Sequence, residues 1–206
     1  FLVTAGSHGA LDLIRRWAMA HDSAHDSTAS AATSEAAGAR APAAAPAAAR
    51  PARITVPWVR SRKVADGADP LVMVTAYDAP GARIADDAGV DMILVGDSLA
   101  MVVLGYDDTL SVTVEDMAHH TAAVARARPS ALVVGDLPWM SYHVSVEETV
   151  RNAAQLIRAG AQCVKLEGGS KRLTMIEAVI DAESPVMGHL GLTPPSMHAM
   201  GGCRVQ

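Results

Sequence analysis

Aromatic residues are scarce, at 3% of the 206 positions, although half of the residues are apolar. Ala, Val, Leu, Ile and Met must therefore fill the interior. That suits a parallel sheet covered by helices better than a sandwich. Cysteine is nearly absent. Cys163 and Cys203 fit no metal-ligand spacing and are too few for a disulfide framework, so a reducing cytoplasm is expected. No apolar run approaches the ~20 residues that a membrane span requires. Positive charge is not in excess either: a net charge of −5 and a pI near 5.9 give no basis for binding nucleic acid or an anionic membrane. Phe1-Leu2-Val3 is too short for the apolar core of a signal peptide, and polar residues soon follow Arg15-Arg16. Asp12, Asp22 and Asp26 weigh against a transit peptide. The first residue is Phe1 and not Met, so the true start is expected upstream.

Two regions differ in composition. From about Asp22 to Arg53 the chain is Ala, Ser, Pro and Arg with almost no large apolar side chain. It cannot bury enough surface to offset chain entropy, and a disordered linker is expected. Before it, Leu11, Ile14, Trp17 and Ala18 share one helical face. Residues 1–70 thus read as a leader and 71–206 as the folded domain.

From Leu71 the pattern becomes strand, turn, helix, repeated. Apolar runs occur at Leu71–Ala76, Met92–Val95, Ala131–Val134, Cys163–Leu166 and Pro185–Met187, the last leading into Gly188-His189-Leu190. They are continuous and not alternating, as in strands buried on both faces. Thr113 with Asp116 predicts a capping box ahead of Met117, Thr121 and Val124. Ser145 with Glu148 predicts a second, ahead of Val146, Val150, Ala153 and Ile157, closed by Gly160. Further helices are expected over Ala79–Ala88, stopped by Gly89, and around Leu173, Ile176 and Val179-Ile180. Strand, helix and strand at this spacing give right-handed βαβ units. No Gly-x-Gly-x-x-Gly follows the first strand, which argues against a dinucleotide fold. The fold class is α/β: a parallel (β/α)₈ TIM-type barrel of which about five βα units are present. Such a barrel takes about 250 residues, and 71–206 supplies little more than half.

Charged residues recur at the ends of these runs. Gly96, Asp97 and Ser98 follow the second; Gly135 and Asp136 follow the third; Lys165 and Glu167 lie in the fourth; His189 ends the fifth. In a βα barrel these positions share the carboxyl face, where catalytic residues gather. The period of two puts Cys163, Lys165 and Glu167 on one face, toward the barrel interior, and Val164 and Leu166 toward the helices. Three carboxylates and an ammonium left unpaired there would cost several kcal/mol each. A divalent cation resolves this, and all-oxygen ligation selects Mg²⁺. The competing structural readings are a helix cap for an Asp after a strand, an ion pair for Lys165 and Glu167, and tight turns at Gly96 and Gly135. His119 and His120 read as surface or packing residues, His21 and His25 fall in the linker, and Tyr77 either lines or caps the pocket.

The strings VTAYD, LVGDSLAMVVLGYDDTLSVTVEDMAHHTAAV, VVGDLPWMSY, VKLEGG and GHLGLTPPS…GGCRVQ, in this order and spacing, resemble ketopantoate hydroxymethyltransferase. The resemblance runs from about Leu71 to Gln206. It implies a (β/α)₈ barrel that moves a one-carbon unit from 5,10-methylenetetrahydrofolate to α-ketoisovalerate, giving ketopantoate for pantothenate and coenzyme A synthesis. It further implies Mg²⁺ that stabilises an enolate, and a large homo-oligomer. It assigns the metal to Asp97, Asp136 and Glu167, and the keto acid to Asp97, Ser98, Asp136 and Lys165. The general base falls on a glutamate beyond Gln206, so no catalytic base is expected in this chain. Ala100, Ser111, Pro195 and Cys203 stand where the family usually has glycine, proline, glutamine and an aromatic residue. Two alternatives are a phosphoenolpyruvate-mutase or isocitrate-lyase-like barrel, which would need a reactive cysteine near the fourth strand, and a non-catalytic remnant that binds keto acid or metal.

Overall fold

The computed structural model describes residues 2–3, 51–62 and 70–190. The helix expected around residues 11–18, most of the Ala-rich stretch, His21, His25, Pro195 and Cys203 lie outside them.

Six strands form one sheet. In chain order they are β1 (Leu2–Val3), β2 (Met73–Thr75), β3 (Met92–Val95), β4 (Leu132–Asp136), β5 (Cys163–Glu167) and β6 (Val186–His189). Their spatial order is β1-β6-β5-β4-β3-β2. Strands β2 to β6 are parallel neighbours, and β1 pairs antiparallel with β6. The helices are α1 (Val56–Ser61), α2 (Ala79–Asp87), α3 (Leu99–Val102), α4 (Val114–Arg126), α5 (Val146–Ala159) and α6 (Leu173–Asp181), with a 3₁₀ turn at Gly169–Arg172. Five parallel strands alternating with helices make the expected partial βα barrel.

The strand faces separate two apolar layers. Ile93, Val95, Val133, Val164, Leu166 and Val186 pack outward with helix residues such as Met117, Val124, Leu156 and Val179. Met92, Leu132, Val134, Cys163 and Met187 form an inner layer. Val164 and Leu166 therefore meet the helices, as the period of two requires. The strand β2 departs from expectation. It forms the sheet edge, and Met73, Val74 and Thr75 are exposed where burial on both faces was expected.

Residues upstream of Leu71 also contribute to the inner layer. Ile54, Val56 and Val59 are buried in the inner layer, and the Ile54 amide donates to the Ser130 carbonyl at 2.7 Å. The N-cap Thr55 accepts from the Trp58 amide, and a proline stands in the first turn of α1. Met92, Leu132 and Cys163 begin their strands, so α1 covers the amino-terminal end of the inner layer. Without that cover those side chains would face water.

The α4 capping box forms with both bonds: Asp116 N to Thr113 Oγ1 at 3.1 Å and Thr113 N to Asp116 Oδ2 at 3.0 Å. Its buried residues are the expected Met117, Thr121 and Val124. For α5, Ser145 caps the Glu148 amide, without a reciprocal bond from Glu148, and Gly160 closes the helix at φ 111°. The most buried residues of α5 are Thr149, Ala153 and Leu156, and the expected Val150 and Ile157 pack partly buried beside them. Gly135 lies directly beneath Leu156. A Cβ there would lie 3.2 Å from Ala161 Cβ and 3.4 Å from Leu156 Cδ1, so the bare backbone admits Leu156. Gly135 lies inside β4 and serves close helix–sheet approach, not a turn.

Candidate active site

Asp136 ends β4 and Lys165 lies opposite it in the parallel register of β5. Parallel neighbours project side chains to the same face. Lys165 Nζ accordingly reaches Asp136 Oδ2 at 2.9 Å and Glu167 Oε1 at 3.6 Å. Asp136 is 3% exposed and Lys165 8%, so this is a buried ion pair and not a surface one. Glu167 is held from its other side by His189 Nδ1 at 2.6 Å, its register partner on β6. The Asp97 amide donates to Asp136 Oδ2 at 3.4 Å, which brings the end of β3 into the cluster.

Each sequence-predicted site residue is thus in one place. Asp97, Asp136, Lys165 and Glu167 couple to one another electrostatically. Ser98 adjoins them, its Oγ 2.9 Å from the Tyr77 hydroxyl. The helix-cap reading does not apply to Ser98 or Asp136, whereas Asp97 accepts a bond from the Ser98 backbone. Ser98 stands at the cap position of α3 with no side-chain cap bond, and Asp136 lies within a strand. Asp78 is the capping aspartate, its Oδ1 accepting from Gly81 N at 2.7 Å.

The electrostatics are those of carboxylates kept out of water. Burial pushes the Asp136 carboxyl up to about 7; the Lys165 ammonium opposes this and the Asp97 charge adds to it. Burial likewise raises Asp97 against the pull of Lys165, with Glu167 adding to the rise. For Lys165, burial alone would lower the value, but Asp136, Glu167 and Asp97 together hold it above the ordinary lysine range.

Among the described residues no three His, Cys, Asp or Glu side chains are placed to share one metal ion. The Lys165 ammonium contacts both Asp136 and Glu167, at 2.9 and 3.6 Å. One oxygen nevertheless stands open. Asp136 Oδ1 is buried with no hydrogen-bond partner, which is costly unless something else meets it. A hard cation held by Asp136 and Asp97 fits that oxygen, because Mg²⁺ needs only one or two protein carboxylates. Glu167, whose Oε1 already faces Lys165 and His189, fits behind them.

Other residues at the site carried no pattern in the sequence. Tyr142 is 5% exposed. Burial raises its phenol, and the Glu167, Asp136 and Asp97 charges add to this while the Glu167 amide opposes it. The buried Thr109 lies beside Asp97. Both sit in loops, where no periodicity marks a side chain as inward. Cys163 is buried in the inner layer, and burial pushes its thiol up, which makes it inert as a nucleophile. No helix among the described residues is long and apolar enough to cross a membrane.

Known proteins agree with this architecture. Two solved structures share the fold. One is phosphoenolpyruvate phosphomutase from Streptomyces platensis subsp. rosaceus (TM-score 0.50, 19% identity, 60% of this chain and 50% of that one). The other is oxaloacetate acetylhydrolase bound to the inhibitor 3,3-difluorooxalacetate (TM-score 0.50, 16% identity, 66% and 52%). At such identity they speak for fold alone. Sequence relatives are nearer. The 3-methyl-2-oxobutanoate hydroxymethyltransferase of Ignicoccus hospitalis is 63% identical over 136 residues, 66% of this chain and 52% of that protein. The enzyme of the same name from Syntrophomonas wolfei is 54% identical over 156 residues, 75% and 56%. The chain spans about half the length of these relatives. The sequence profile described as ketopantoate hydroxymethyltransferase matches residues 53–206, so the likeness reaches upstream of Leu71 to include α1. The chain belongs to the ketopantoate hydroxymethyltransferase family.

Proposed function

We propose that the protein transfers a hydroxymethyl group from 5,10-methylenetetrahydrofolate to α-ketoisovalerate, giving ketopantoate in pantothenate and coenzyme A synthesis. The observation that carries this reading is the convergence of Asp97, Asp136 and Lys165 from three adjacent strands of a chain in this family. Asp97 and Asp136 would hold Mg²⁺, with Glu167, the third carboxylate of the cluster, beside them. Bound there, the ion supplies Lewis acidity at the keto oxygen. Lys165 and Ser98 take the substrate carboxylate, one as a buried charge and the other as a hydroxyl donor, and fix the carbon that loses its proton. Burial keeps water from competing for these donors. None of the described carboxylates is assigned as the base. The assembly is proposed to be a cytoplasmic homo-oligomer.

The test is turnover of α-ketoisovalerate with methylenetetrahydrofolate by the full-length protein. Activity should require Mg²⁺, vanish with chelator, and fall at least a hundredfold in Asp136→Asn. Turnover that ignores the metal, or its absence from the intact protein, would overturn the proposal. The mutase and lyase reading rests on fold alone, and the inert Cys163 does not supply the nucleophile that it requires.

A further inference from the structure

Ser98 has a partner that the assigned chemistry does not use. The Tyr77 hydroxyl lies 2.9 Å from Ser98 Oγ, across 21 residues of sequence. Tyr77 follows Ala76 just beyond β2, and Ser98 follows β3, which pairs with β2. The contact thus spans two adjacent strand ends. Tyr77 is itself anchored. His120 on α4 donates from Nδ1 to the Tyr77 carbonyl at 2.7 Å, and the ring packs against the outer apolar core. Ser98 caps no helix with its side chain, so no helix end competes with Tyr77 and the site for its hydroxyl.

We infer that Tyr77 is a positioning residue for Ser98, turning the serine proton toward the carboxylate of a 2-oxo acid bound beside Asp97 and Lys165. This rests on the reading of Ser98 given above. A carboxylate only accepts hydrogen bonds, so Ser98 must donate to it, and its oxygen is then left to accept. Tyr77 is the group within reach. A phenol is a stronger acid than an aliphatic hydroxyl and is the natural donor of the pair. The resulting chain, phenol to serine to carboxylate, has each donor strengthening the next. Phenylalanine at this position would keep the packing and lose only the hydroxyl.

The experiment is a double-mutant cycle on the full-length protein, using Tyr77→Phe, Ser98→Ala and both together. Calorimetry in Mg²⁺ measures the dissociation constant for α-ketoisovalerate, and kinetics give kcat and KM. Ser98→Ala should weaken binding at least tenfold, as expected for a hydrogen bond to a charged group. Tyr77→Phe should weaken it about fivefold and raise KM, with kcat and melting temperature unchanged. The double variant should bind no worse than Ser98→Ala alone. If the two losses multiply instead, Tyr77 does not act through Ser98 and the inference fails while the Ser98 assignment stands. If Ser98→Ala leaves binding unchanged, the substrate reading of Ser98 fails and takes the inference with it. A fall in kcat with unchanged affinity in Tyr77→Phe would also overturn it.

Discussion

Lys165 Nζ lies 2.9 Å from Asp136 Oδ2, between two buried positions that face each other across adjacent parallel strands. Removing one partner of such a pair leaves the other charge without compensation, at about 3–5 kcal/mol. Lys165→Met should therefore lower unfolding stability by about 3 kcal/mol at pH 8. At pH 5, where Asp136 is already protonated in the native state, the loss should shrink. Urea denaturation at the two pH values decides it. An equal loss at both would mean that Lys165 contributes through packing alone.

The raised Asp136 carboxyl should make the metal-free protein lose stability as pH rises from acid to neutral. Its native value of about 7 lies above an ordinary aspartate near 3.9. Between these values the native state holds a proton that the unfolded chain has released, so stability falls as pH rises. From pH 4 to 7 the Asp136 contribution should drop by up to about 4 kcal/mol. Asp136→Asn should remove that slope. Melting temperatures across the range, in chelator, test the sign; a flat difference between the two proteins would refute it.

Magnesium should act against that slope. Only the ionised carboxylate is a ligand, so apparent affinity should rise about tenfold per pH unit below 7 and level off above it. At a hundred times its dissociation constant the ion should add about 2.7 kcal/mol of stability. Thermal shifts with and without Mg²⁺ at pH 6 and 8 would show this. An equal shift in Asp97→Asn and in the parent protein would exclude Asp97 as a ligand.

Two glycines with positive φ should respond unequally to alanine. At Gly160 (φ 111°) a Cβ would collide with Ala125 Cβ on α4, whereas at Gly105 (φ 77°) it would meet nothing within 4 Å. Both substitutions incur backbone strain of about 1–2 kcal/mol, and only Gly160→Ala adds overpacking of about 1–3 kcal/mol. Chemical denaturation should rank Gly160→Ala as the worse by at least 1 kcal/mol.

The place of α1 in the fold can be tested through Ile54, which is fully buried. Ile54→Ala should cost about 2–4 kcal/mol by cavity formation. A loss under 0.5 kcal/mol would return residues 51–62 to the leader.

Much of this architecture was legible before any coordinates. Continuous apolar runs marked the parallel strands, and the period of two sent Lys165 and Glu167 inward, because strand geometry is local. Thr113 and Asp116 announced α4 because a capping box spans only four residues. The helix α1 escaped because it is short and follows an Ala- and Pro-rich stretch; only its contact with the inner layer distinguishes it. The α5 stripe of Val150, Ala153 and Ile157 does pack on the core, but the full burial of Leu156 beside it depends on Gly135, a residue of another element.

The sequence alone determined which charges lie at the strand ends, since strand period and strand length follow from nearest neighbours along the chain. Whether those charges cooperate was a matter of register between strands, which no local rule specifies. Only the tertiary structure set Lys165 against Asp136, left Asp136 Oδ1 buried and open, held Glu167 with His189, and joined Tyr77 to Ser98. The three contacts join residues distant in the chain, and burial strengthens above all the Lys165–Asp136 pair.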